Sequence, residues 1–151
     1  MMESTYKSLI SSGIKIKVSS TLDNSVGKKN IIDDNLETCW TSQQGLPQYI
    51  QLVFPELVIP KSISLTFQGG FVGTRCSVDV LASSEGAKWK SFTRIYPEDV
   101  NRRQTFDLVP HDLSSDPTTE GVKAIKVVFE ESSDFFGRIT VYDLKLEGVA
   151  L

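Results

Sequence analysis

Residues 31–42 read Ile31-Ile32-Asp33-Asp34-Asn35-Leu36-Glu37-Thr38-Cys39-Trp40-Thr41-Ser42. Within six positions, Asp33 to Thr38, the chain places three carboxylates, an amide and a hydroxyl, and it then runs into Trp40, one of only two tryptophans. Oxygens this dense suit a tight turn or a hard cation. The aromatic that follows is large enough to anchor a core. A polar turn feeding a buried aromatic is how a strand enters a β-sandwich, and the rest of the chain follows that pattern.

Downstream of this stretch apolar and polar residues alternate. Ile50, Leu52 and Phe54 alternate with Gln51 and Val53 until Pro55, and Ile63, Leu65 and Phe67 alternate with Ser62, Ser64 and Thr66. Cys76, Val78 and Val80 repeat the pattern, as do Ile14, Ile16 and Val18 upstream. A period of two puts one set of side chains on one face of a strand, which a helix cannot do. Further strands are expected at residues 104–108, 122–130 and 138–147. The connections carry turn formers: Asp23-Asn24-Ser25, Gln43-Gln44-Gly45-Leu46-Pro47, Gln68-Gly69-Gly70, Ser83-Ser84-Glu85-Gly86 and Asp116-Pro117. About eight short strands without an amphipathic helix predict an all-β protein, an eight-stranded antiparallel jelly-roll β-sandwich. Trp40 and Trp89, each among alternating strand residues, are expected in its core; stacking on a sugar or a base is the other use of such aromatics.

The length of 151 residues fits one domain with its own core. We divide it into an N-terminal extension, residues 1–13, and a single domain, residues 14–151. A net charge of −3 argues against a general nucleic-acid or acidic-membrane binder, so neither direct nucleic acid nor membrane is an expected partner. Residues 1–13 lack the apolar run of a signal peptide, and no stretch approaches the roughly 18 apolar residues of a membrane span. An intracellular protein is expected. Cys39 and Cys76 then read as buried free thiols. With one histidine, His111, and no Cys-x-x-Cys, a structural zinc site has no ligand set.

Catalysis finds little support. His111 would have to meet Cys39, Cys76 or a serine, no nucleophile-elbow sequence is present, and Glu130 and Glu131 point to opposite faces of a strand. Gly69-Gly70-Phe71-Val72-Gly73 lacks the lysine of a phosphate loop. We expect no enzyme, no catalytic residue and no required cofactor.

Several segments carry a family resemblance. Leu22, the Asp33 to Trp40 block, the strand at 48–54, Gln68-Gly69-Gly70, Ser83-Ser84-Glu85-Gly86 with Trp89, and the closing strand ending at Gly148 resemble the discoidin, or coagulation factor V/VIII C-type, domain. Gln68-Gly69-Gly70-Phe71, Tyr96-Pro97-Glu98-Asp99, Gln104-Thr105-Phe106 and Asp134-Phe135-Phe136-Gly137-Arg138 are similar to a small intracellular member of that family that associates with an orphan nuclear receptor, the testicular receptor. The resemblance implies the galactose-binding-like superfold, a nuclear and cytoplasmic location, and a receptor partner whose transcriptional activity the protein restrains. Carbohydrate binding by the loops at one end is the alternative that the superfold leaves open.

Some discoidin members bind calcium at the positions held by Asp33, Asn35 and Thr38, with a late acidic residue at the position of Asp143; the resemblance implies a candidate structural calcium site there. Asn35 stands where the family often has Asp, and Asp34 where it has Gly. The alternative is a turn in which Asp33 and Asn35 bond their own backbone. The candidate contact residues for a protein or ligand are Phe71, Arg75, Phe135, Phe136 and Arg138. Two adjacent aromatics cannot both face inward from an extended backbone, so Phe135-Phe136 serves either as a contact anchor or as a plug over the end of the sandwich.

Overall fold

The computed structural model describes residues 6–83 and 88–151. Ser84, Glu85 and Gly86 of the expected turn before Trp89 lie outside the described residues. The strands are β1 (Lys7–Ser8), β2 (Lys15–Val18), β3 (Trp40–Thr41), β4 (Gln48–Phe67), β5 (Gly73–Ala82), β6 (Trp89–Ile95), β7 (Arg103–Asp107), β8 (Val122–Ser132) and β9 (Thr140–Ala150). All pairings among them are antiparallel. Short 3-10 turns at Asn24–Val26 and Lys28–Ile31 occupy the loop after β2.

One long strand ties the two layers together. Residues 48–53 of β4 pair with β2 on one side and β8 on the other, continuing through β5 to β6. Residues 58–67 of the same strand pair with β9, and residues 62–66 with β7. The expectation of two separate strands divided at Pro55 is thus met in the pairing but not in the backbone. The register breaks between Val53 and Val58, where Pro55 has no N–H to give to a ladder, while the chain stays extended and passes into the other layer.

The alternation predicted from sequence sets the core. Ile50, Leu52, Ile63, Leu65 and Phe67 of β4 are buried, as are Val78 and Val80 of β5, Val127 and Phe129 of β8, and Leu144 and Leu146 of β9. Trp40 is fully enclosed, with its ring centroid 6.3 Å from that of Phe129, and Phe67 meets Phe129 edge-on at 5.9 Å. The indole Nε1–H donates to Ser20 O at 2.9 Å, which gives the buried ring its polar partner. Gly148 lies against Pro60 of β4, and a Cβ there would overlap the carbonyl oxygen of Ile59. The glycine near the end of the chain is therefore a close-approach position between strands.

Three expectations change. Trp89 is half-buried on the first residue of edge strand β6, under the Lys126 ammonium at 4.3 Å from its ring; Phe92 and Ile95 fill the core from that strand instead. Cys76 is a buried free thiol, and its burial pushes its pKa up. Cys39, also free, is only half-buried, because it precedes a β3 that is two residues long. Residues 7–9 of the segment read as an extension join the sheet: Lys7 and Ser8 pair with Gly148 and Glu147, and Leu9 enters the core.

Trp40→Phe removes the donor to Ser20 O and leaves unfilled volume. We expect a loss of about 1–3 kcal/mol in stability, read as a lower urea midpoint with unchanged slope.

Candidate functional site

The connection between β8 and β9 projects from one end of the sandwich. Its backbone is held on several sides. Ser133 N–H donates to Val72 O and Val72 N–H to Ser133 Oγ, both at 2.9 Å, so the connection is locked to the loop before β5. Gly45 N–H donates to Phe136 O at 2.9 Å, tying it to the loop before β4. Gly137 has φ 79°, a conformation that glycine adopts without strain, and closes the turn by donating to Asp134 O at 3.0 Å.

An ion pair spans this turn. Asp134 Oδ2 accepts from Arg138 N–H at 3.0 Å and from its Nε–H at 2.9 Å, and Oδ1 accepts from Nη2 at 3.2 Å. Asp134 has only 11% of its side chain exposed and Arg138 31%. The hydrogen bonds from Arg138 hold the Asp134 carboxyl below the usual carboxylate range. The guanidinium in turn lies 5.1 Å from the Phe71 ring centroid and 5.7 Å from that of Phe136.

With the backbone fixed, the two aromatics have nowhere inward to go. Phe135 is 93% exposed and Phe136 53%, with their rings edge-to-face at 5.3 Å. Exposed Leu46 belongs to the same end, since its Cγ approaches Gly137. Of the two readings of Phe135-Phe136, the geometry gives the protruding pair. The structure brings Phe71, Phe135, Phe136 and Arg138 together. It sets Arg75 apart, on β5, with Nη1 3.2 Å from Glu131 Oε1 and Nε 3.6 Å from Glu130 Oε1. Leu46 is the member that sequence reasoning left out of the set; a lone leucine between Gly45 and Pro47 carries no signal of which loop it will meet.

The residues expected to hold calcium are placed differently. Asp33 Oδ1 accepts Asn35 N–H at 3.0 Å, its Oδ2 accepts the Thr38 hydroxyl at 2.6 Å, and Asn35 Oδ1 accepts Glu37 N–H at 2.9 Å. Asp33, Asn35 and Thr38 are together, but as a turn whose oxygens are used internally. Asp143 is buried and faces a different neighbour: Lys145 Nζ lies 3.7 Å from Asp143 Oδ2 and 3.2 Å from Asp34 Oδ1. Burial pushes the Asp143 carboxyl up, partly offset by Lys145 and Arg103. Among the described residues no three His, Cys, Asp or Glu side chains gather as a metal group. The expected donors fit a calcium shell of six to eight oxygens poorly, because Asp33 and Asn35 spend their oxygens on their own turn and the Lys145 ammonium stands beside Asp143.

His111 is exposed, with Nε2 3.2 Å from Ser91 Oγ, while Oδ1 of the adjacent Asp112 accepts from the N–H and hydroxyl of Ser114. Among the described residues no carboxylate hydrogen-bonds that imidazole as a triad requires. Among the described residues no helix is long and apolar enough to cross a membrane.

This architecture, a jelly-roll sandwich with its loops gathered at one end, is the fold of discoidin, or F5/8 type C, domains. The chain superposes on the F5/8 type C domain of a Bacteroides fragilis protein with TM-score 0.75 at 15% identity, covering 97% of this chain and 98% of that one. A family 32 carbohydrate-binding module from C. perfringens, in complex with galactose, gives TM-score 0.71 at 16% identity over 94% and 98%. No protein-family model matches the sequence. At the level of sequence, the Danio rerio protein called nuclear receptor 2C2-associated protein is 41% identical over 145 residues, 94% of this chain and 96% of its own length. The Homo sapiens protein of the same name is 38% identical over 87% and 89%. The chain belongs to the nuclear receptor 2C2-associated protein family.

Two predictions follow from the geometry of this end and of the acidic turn. A carboxylate held below its usual range contributes stability above that range and loses it as pH falls through the lowered value. Hydrogen-exchange protection of the Gly137 and Arg138 amides is therefore expected to drop below about pH 4, and Asp134→Asn to abolish that dependence. Calcium titrated into chelator-treated protein is expected to give neither heat nor a rise in melting temperature; saturable heat would show a shell built from other oxygens.

Proposed function

We propose that the chain is a non-catalytic interaction module that binds an orphan nuclear receptor through the Phe135–Phe136 tip and lowers the receptor's transcriptional activity. The relatives carry association with a nuclear receptor in their name, and a solved structure of the same fold is a carbohydrate-binding module. The observation that carries the choice of surface is Phe135, 93% exposed on a turn whose neighbouring backbone is bonded to two other loops. Burying a pre-ordered aromatic against a partner costs little ordering entropy, which is what makes such residues interface anchors. Occupying a receptor surface needed for self-association or for DNA contact would restrain transcription without any chemistry. A nuclear and cytoplasmic location goes with that role.

A sugar-binding reading built on Phe71 with Arg75 meets a physical obstacle. A platform for a sugar needs a free aromatic face, and the face of Phe71 is shared with the Arg138 guanidinium. The Nε–H and an Nη2–H of Arg138 are already given to Asp134, and Arg75 is engaged by Glu130 and Glu131.

Phe135→Ala and Phe136→Ala are each expected to weaken pull-down of the receptor's ligand-binding or DNA-binding region by about tenfold or more. Their melting temperatures should match the parent, since both rings are outside the core. Retention of full binding by the double variant would sink this choice of surface, and specific glycan-array binding at the same loops would replace the protein partner with a carbohydrate.

A further inference from the structure

A second surface is built on the edge of the sheet, at β2. This strand pairs only with β4, so its other edge is open among the described residues. Ser19 N–H donates to Tyr49 O at 3.1 Å, in register with the pairing of Lys17 to Gln51 and Lys15 to Val53. Alternate amides of an antiparallel strand point in opposite directions, so the backbone groups of Ile16 and Val18 face away from β4. Among the described residues none of these groups is hydrogen-bonded.

Beside that edge runs an open groove of about 650 Å³, lined by Ile14, Lys15 and Ile16 from β2 and by Lys28, Lys29 and Ile32 at the second 3-10 turn. Its volume lies within the usual range for binding clefts. The three isoleucines are half-buried, packing on the core with one side and facing the groove with the other. Lys15, Lys17, Lys28 and Lys29 are exposed, and none of the ion pairs among the described residues involves them. In a chain of net charge −3 this is a local concentration of uncompensated positive charge.

Lysines on an edge strand guard against pairing with a second copy, and Lys15 and Lys17 alone would need no other account. Lys28 and Lys29 come from a different element and face the same groove, over an apolar floor. Like charges exclude a second copy of this edge; opposite charge with alternating apolar residues is the complement.

We propose that the groove beside β2 docks an extended acidic segment of a partner protein, which adds to the sheet as a strand along β2. Its backbone bonds to the free groups of Ile16 and Val18, its alternate apolar side chains lie on Ile14, Ile16 and Ile32, and its carboxylates face the lysines. Main-chain bonding supplies affinity and the alternation supplies register, as in strand addition generally. This surface shares no residue with the Phe135–Phe136 tip, so each stands or falls separately.

The probe is a fluorescein-labelled peptide of about eight residues alternating Glu and Val, matched against one alternating Lys and Val. Saturable anisotropy is expected for the Glu peptide alone, weakening as salt rises through about 0.15 M. The triple variant K15E/K28E/K29E, all three side chains being exposed, is expected to bind at least about tenfold more weakly at unchanged melting temperature, with the Lys→Gln triple in between. In the complex the Ile16 and Val18 amides should gain hydrogen-exchange protection. Any of four results overturns the proposal: no saturation below about 1 mM, equal binding of the two peptides, unchanged binding by K15E/K28E/K29E, or single-stranded DNA bound as tightly as the Glu peptide, which would make the patch a general polyanion surface.

Discussion

The strand Gln48–Phe67 is the constraint on which the rest depends. Its two halves pair with four other strands, two in each layer, so a single extended segment sets the spacing and relative direction of both sheets. Its first residue matters as much as its length. Gln48 is buried; its Oε1 accepts from the hydroxyls of Ser19 and Ser20, and its amide donates to the carbonyls of Gln43 and Gly45. A buried amide must find such partners, and in finding them it fixes the loop at residues 43–47. That loop then supplies the Gly45 N–H that holds Phe136 O. The exposed tip is thus rigid because a buried glutamine at the start of the central strand is fully satisfied.

Charge is used differently at three places on the surface. At the tip, Asp134 neutralises Arg138 and leaves its guanidinium as a planar spacer between Phe71 and Phe136. At the acidic turn, Lys145 stands between Asp34 and Asp143, so the ammonium supplies the positive charge that two facing carboxylates need. Along β2 the lysines face open solvent over isoleucine, and among the described residues none has such a partner. Compensated charge accompanies rigid structure in the first two cases; the third leaves free charge where a partner can use it.

Much of the fold was legible in the chain. The period-two runs at residues 50–54, 63–67 and 76–80 named the buried residues almost one for one, because alternation is a local property of an extended backbone with one wet face. Trp40 followed from its place at the end of a polar turn. Trp89 did not: it also sits among strand residues, but its strand is at an edge, and edge status depends on which strands pair. The acidic turn was ambiguous for a related reason. Asp33, Asn35 and Thr38 have the spacing of a ligand set and equally that of a self-bonded turn, and the choice rested on where Lys145 would arrive from β9.

By itself the sequence determined an all-β sandwich with Trp40 at its centre, the discoidin-like pattern of motifs, and the fact that Phe135 and Phe136 could not both be buried. Tertiary structure alone decided that β4 spans both layers, that Phe71 meets Arg138 across 67 positions of chain, and that residues 14–16 share a groove with residues 28–32. The physical reason is range. Alternation and turn chemistry act between neighbours, whereas exposure at a loop end or a sheet edge is fixed by contacts between segments far apart in the chain, which only the folded pairing brings together.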